Sequence, residues 1–299
     1  RRPVLLVGLA TYVVAAVGSV LASSMDALLV WRIAQGAAMG ASVMCARAMV
    51  RDLYSPELGA RAISKGLSGL GVIACLSIPL GGVLAELFGW RVALAALVVF
   101  GVVTLALIVL RFEETLARPD PDALRPATLV RTWGMVLRHP TFRAFALLAA
   151  ATYGGLFTFL AASSFVFIKL MALSRIHYGV LMFLMALAYL GGTFLCRRLL
   201  VRLGVQRTVA IGGVFSLVGG SLLGLGGLAG LQGEWAIMAP MLIYMVGHGI
   251  HQPCGQAGAV GPFPQAAGAA SALSGFLMMV IAFAMGQWLG ASMDGTPLP

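Results

Sequence analysis

Arg32 lies inside an apolar stretch running from about residue 27 to 50, and Gly36 and Gly40 follow it at every fourth position. Residues four apart share a helix face, so the guanidinium sits on a close-packing small-residue face. A charge in hydrocarbon costs about 2.5–3.5 kcal/mol on insertion scales and needs water or an acceptor. At 1.5 Å per residue, Arg32 is roughly 7 to 8 Å from the outer end of its helix. It either snorkels to that interface or serves a water-accessible cavity, and Gln35, one turn away, favours the cavity. Arg47, near the cytoplasmic end, snorkels.

A second polar set lies late in the chain. Tyr244, His248 and His251 share one helical face of the run 236 to 257, with Gln252 beside them. Tyr153, Phe157, Leu160 and Ser164 do the same in the run 144 to 168. Such stripes are more often packing than ligand contacts, yet two histidines and a glutamine in an uncharged span are not expected to face lipid. His248, His251 and Cys254 drift around the helix without a carboxylate, so no metal is assigned. Cys45, Cys75, Cys196 and Cys254 show no C-x-x-C spacing and read as small buried apolar residues. There is no nucleophile–base pair, phosphate loop or metal ligand set, so neither an enzyme nor a bound cofactor is expected.

The elements that position these residues are transmembrane helices. With 60% hydrophobic and 10% charged residues and a mean hydropathy of +0.98, no soluble class fits. Nine apolar runs are long enough to span: about 3 to 22, 27 to 50, 62 to 88, 92 to 110, 144 to 168, 178 to 196, 208 to 230, 236 to 257 and 266 to 291. The fold class is therefore an all-α polytopic bundle. The third run, with Gly66, Gly69, Gly71, Gly81, Gly82 and Pro79, reads as a bent, tightly packed helix. None of the runs holds an Asp or Glu at depth; Glu86 is near an outer end.

The net charge of +10 would suggest nucleic acid in a soluble protein. Its placement excludes that. If the first run goes from inside to outside, Arg1, Arg2, Arg51, Arg61, Lys65, Arg111, Arg118, Arg125, Arg131, Arg138, Arg143, Arg197, Arg198, Arg202 and Arg207 are cytoplasmic, against Arg91, Lys169 and Arg175 opposite. This positive-inside bias makes the lipid bilayer, and no polyanion, the partner that explains the charge.

Three regions follow: a helical bundle over 1–112, a cytoplasmic connector over 113–140 and a second bundle over 141–299. Within the connector Thr128 to Arg138 has the pattern of an amphipathic surface helix, although a solvated linker is the preferred reading. Arg2-x-Val4 with Gly8 recurs as Arg207-x-Val209 with Gly213, and Leu67-Ser68-Gly69 recurs as Leu273-Ser274-Gly275, at offsets of 205 and 206. The match suggests a duplicated six-helix unit. On that reading the chain is a fragment that lacks two spans at its start and one at its end, with nine of twelve helices present.

Several ordered motifs carry a family resemblance: RRPVLL from Arg1, Arg32-x-x-Gln35-Gly36, AR-x-x-VRDLY from Ala46 to Tyr54, Pro79-x-Gly81-Gly82 followed by Gly89-Trp90-Arg91, and PQAAGAASALSG from Pro264. The chain resembles the major facilitator superfamily and, within it, the bicyclomycin/chloramphenicol-resistance drug:proton antiporters, from the third to the eleventh helix. The resemblance implies a monomeric secondary transporter of a bacterial cytoplasmic membrane that exchanges protons for drugs or other small molecules by alternating access. It implies proton coupling at Arg32, a substrate cavity touched by Gln35, Met39, Tyr153, Phe157, Tyr244, His248 and Gln252, and an antiporter packing motif at Gly71, Pro79, Gly81 and Gly82. A nutrient or amino-acid facilitator of the same fold, or a non-transporting fragment, are the alternatives.

Overall fold

A computed structural model of the chain describes residues 2–54, 79–114, 126–231, 233–263 and 266–292, together with positions 69, 73, 76 and 77. Gly71, assigned above to the antiporter motif, lies outside the described residues, as does Cys75. Every regular element among the described residues is helical, and the fold is an all-α bundle. The chain divides into two compact units, 1–120 and 121–299.

The first unit holds α1 (Arg2–Leu21), α2 (Met25–Leu53), α3 (Pro79–Phe88) and α4 (Trp90–Arg111). Ser24 caps α2 by accepting from the Ala27 amide at 3.2 Å, satisfying one of the orphan donors of a helix start. Leu5 and Leu9, one turn apart on α1, meet Cys45 and Met49 of α2, with Leu105 and Ile108 of α4 closing the cluster. Tyr12 lies on α4 where residue 101 is glycine; a Cβ there would stand 2.9 Å from the ring. The turn from α3 to α4 needs φ +86 at Gly89, a conformation that L side chains rarely adopt. Arg91 then reaches back to the carbonyls of Val20 and Ala22 at 3.3 and 3.1 Å, capping the end of α1.

In the second unit are α5 (Pro126–Arg138), α6 (Pro140–Ser164), α7 (Arg175–Leu228), α8 (Glu234–Val260) and α9 (Ala267–Ser292). The π turn Phe165–Leu170 extends α6. The 54 residues of α7 are two limbs, 175–203 and 205–228, because Gly204 takes φ 73, ψ 176, where the helix bends back. These limbs are the two runs read at 178 to 196 and 208 to 230. The segment 126–138, preferred above as solvated linker, is a helix: Val136 is fully buried against Phe142 of α6, Phe263 after α8, and Ala270 of α9. Its amphipathic spacing gave it a face to bury, and neighbouring helix ends accept it.

Among the described residues, five helices are long and apolar enough to cross a membrane by length and composition: α1, α4, α6 with its π turn, α7 and α9. The two other long helices, α2 and α8, are those that carry Arg32 and the paired histidines. The polar residues on these two helices are not expected to face lipid.

Candidate functional site

On α2 the Arg32 Nη1 donates to Gln35 Oε1 at 2.8 Å. The pair is one helical turn apart, so the helix itself sets the geometry. Gln35 is 5% exposed while Arg32 is exposed, so the buried amide oxygen draws one arm of the guanidinium inward. Arginine has five N–H donors. Among the described residues this is its one hydrogen bond. Met39, one turn further on, is exposed. Side chains built at Gly36, Gly40 or Gly81 would meet no described atom within 4 Å. Pro79 and Gly82 of α3 are both half-buried. An apolar recess of about 310 Å³ lined by Val7, Thr11, Trp31 and Ala34 lies between α1 and α2. Sequence reasoning missed it, because its walls come from two helices and have no shared motif.

The polar residues of α8 reach in several directions. Tyr244 donates its hydroxyl to the Thr152 carbonyl of α6 at 2.8 Å. Gly155 makes the approach possible, since a Cβ there would collide with the Tyr244 hydroxyl. One turn on, His248 is 3% exposed and its ring lies 5.7 Å from that of Tyr189 on α7. His251, also 3% exposed, places Nε2 3.0 Å from the Val209 carbonyl on the second limb of α7. A carbonyl only accepts, so that nitrogen carries the proton and Nδ1 is left as an acceptor. The Nδ1 atoms of both histidines are buried without a hydrogen-bond partner among the described residues. Gln252 is buried and accepts from Gln256 at 3.2 Å.

The two aromatic stripes do not form one surface. Tyr153 packs beside Ala149, Ala150, Met278 and Ile281, and Phe157 stands opposite Gly286, so both face α9. Tyr244 and His248 instead meet α6 at Thr152 and α7 at Tyr189. Cys196 and Cys254, 58 residues apart, bring their sulfurs to 3.6 Å where the first limb of α7 crosses α8. Among the described residues no three His, Cys, Asp or Glu side chains are grouped to hold a metal. His251 is committed to Val209 and Cys254 to Cys196, which separates the residues weighed as a site above.

Glycines bring the backbones of α7 and α8 into close contact. A Cβ at Gly192 would run into the Val246 carbonyl, and one at Gly249 into the Tyr189 carbonyl. On the second limb, a Cβ at Gly219 would stand 2.6 Å from the Tyr244 amide, and one at Gly247 would stand 2.8 Å from the Gly212 carbonyl. Glycines facing backbone let the helices approach and fix the heights of Tyr244, His248 and His251.

The family profile described as Major Facilitator Superfamily matches residues 1–287. Among curated relatives, "Multidrug resistance protein D" of Escherichia coli is 26% identical over 280 residues, covering 94% of this chain and 70% of that protein. A "Bicyclomycin resistance protein homolog" of Haemophilus influenzae is 23% identical over 300 residues, covering 100% of this chain and 75% of that protein. Among solved structures, a D-xylose-proton symporter superposes with a TM-score of 0.65 at 14% identity, over 99% of this chain and 74% of that one, a likeness of fold.

Proposed function

The chain belongs to the Major Facilitator Superfamily and is a multi-pass membrane transporter, not an enzyme, and from that premise we propose that it exports drugs or other small molecules across a bacterial cytoplasmic membrane in exchange for protons. The resistance relatives support the export of antibiotics. The observation that carries proton coupling is the half-engaged guanidinium of Arg32. With one donor on Gln35, its other donors are available to a carboxylate or water. A carboxylate that exchanges its proton would change its hold on Arg32, and such a change alters the energy of a charge in the bilayer by an amount able to bias a conformational equilibrium.

In the second unit, substrate recognition is assigned to Tyr244, His248 and Gln252 of α8 and, on the separate side of α6 that faces α9, to Tyr153 and Phe157; in the first unit, Gln35 and Met39 of α2 are given the same role. Aromatic rings and scarce fixed charge suit neutral or cationic apolar molecules. Pro79, Gly81 and Gly82 are given the packing role of the antiporter motif. The unit of transport is a monomer.

The test is uptake into proteoliposomes with an imposed pH gradient, acid inside, using bicyclomycin, chloramphenicol and a lipophilic cationic dye, with D-xylose as the control sugar. Accumulation of an antibiotic or the dye, abolished by a protonophore, is expected. Transport that ignores the gradient, or of the sugar alone, overturns the proposal.

A further inference from the structure

We propose that α5 is a docking site for an anionic phospholipid, whose phosphate is held by Arg131 and Arg138 and whose acyl region lies against Val130, Trp133 and Leu137. The inference is independent of what the protein transports. Arg131 and Arg138 are seven residues apart, two helical turns, and so share one face of α5. An open groove along that face is lined by Val130, Arg131, Gly134, Met135 and Arg138. Gly134 and Met135 stand between the two arginines, and the glycine keeps the floor low enough for a headgroup to lie across it. Both arginines are exposed, and among the described residues neither has a hydrogen bond or ion pair.

Val130, Trp133 and Leu137, spaced by three and four, form the adjoining face and are 67%, 43% and 40% exposed. The described residues leave this apolar strip partly exposed along its length, while α5 is fixed in place on its other side by the fully buried Val136. Three sectors result: one buried on the helices, one apolar and open, one cationic. A helix with an apolar strip flanked by arginine lies in the interface plane, with its strip at the acyl boundary and its cations at the headgroups. Trp133 on the strip is the residue type enriched at that depth.

The location agrees. The Val136 cluster joins α5 to the end of the unit where α6 begins, α8 ends and α9 begins. That end carries Arg143, and the excess of basic residues assigns it to the cytoplasmic leaflet, where anionic lipids draw basic segments. A guanidinium pair binds phosphate through directed donors, and an apolar strip alongside selects a phosphate that comes with acyl chains over a free one.

The experiment uses the whole chain in phosphatidylcholine nanodiscs containing one-tenth brominated lipid, either phosphatidylglycerol or phosphatidylcholine. The signal is the quenching of Trp133, taken as the difference between the protein and its Trp133→Phe variant. Phosphatidylglycerol is expected to be favoured over phosphatidylcholine at Trp133 by about fivefold for each arginine, a selectivity of roughly thirtyfold for two. Arg131→Gln with Arg138→Gln should bring quenching to the level of brominated phosphatidylcholine, and Arg131→Lys with Arg138→Lys should retain most of the preference. Equal quenching by the two lipids in the unsubstituted chain overturns the proposal, as does a preference that survives the double glutamine variant. Relief of quenching by 10 mM glycerol phosphate would assign the site to soluble phosphate and also overturn it.

Discussion

Two glycine-bearing helix faces differ in what stands opposite them. On α7 and α8, Gly192, Gly219, Gly247 and Gly249 lie where an added methyl would meet the backbone of the facing helix. On α2, Gly36 and Gly40 repeat at the spacing associated with close packing, yet an added side chain would meet no described atom within 4 Å. A small-xxx-small pattern thus marks a face that permits approach, and only the neighbour decides whether approach occurs. The contact on α7 and α8 supports Tyr244, His248 and His251, while α2 presents Arg32 beside a glycine face that no described residue covers.

The largest effect is expected from Gly249→Leu or Gly192→Leu. A side chain aimed at a carbonyl cannot be accommodated by a rotamer change, and overpacking costs about 1–3 kcal/mol or more. Size-exclusion profiles of the detergent-solubilised variants should show little monodisperse protein. If both variants elute and melt like the unsubstituted chain, the helices are not in backbone contact.

A smaller loss follows at the bend of α7. Gly204→Ala places a side chain at φ 73, ψ 176, at a cost of about 1–3 kcal/mol. A thermal midpoint several degrees lower is expected, with the α7–α8 contact itself intact; an unchanged midpoint would mean that the bend does not depend on glycine.

Tyr244→Phe isolates one link between α8 and α6. Removing the hydroxyl that donates to Thr152 should lower stability by about 0.5–1.5 kcal/mol. If Tyr244 also touches substrate, the same variant weakens drug binding beyond what its stability loss explains. Binding and melting measured on one preparation separate the two roles.

The smallest change is expected at the α2 face that no described residue covers: Gly36→Ala and Gly40→Ala should alter the melting midpoint by the equivalent of about 0.5 kcal/mol or less. A loss as large as that of Gly249→Leu would erase the difference between the two faces.

The transmembrane architecture was legible in the sequence because lipid imposes length and apolarity on each helix separately. The separation of the runs 178 to 196 and 208 to 230 was legible for the same reason, although the bend at Gly204 between them was not read from the sequence. The contacts were not legible in this way. Gly192 meets Val246 and Gly249 meets Tyr189 across more than fifty residues, and nothing in either segment names its partner. The stripe Tyr153–Phe157 was visible as a periodicity, but that it turns toward α9 while Tyr244 turns toward α6 depends on how three helices are rotated. The Cys196–Cys254 proximity was hidden likewise, since neither cysteine has a spacing that announces the other. Arg32 was the exception. A charge in an apolar helix with a polar residue one turn away is a local signal, and the Arg32–Gln35 hydrogen bond is local as well.

The most direct test of proton-coupled export is substitution of Arg32 in proteoliposomes with an imposed pH gradient. Arg32→Ala should abolish gradient-driven drug transport while expression and equilibrium drug binding stay within about twofold of the unsubstituted chain, and Arg32→Lys should keep part of the transport, because the charge survives without the planar fork that suits a carboxylate. Gradient-driven transport by Arg32→Ala at the unsubstituted rate would contradict the account.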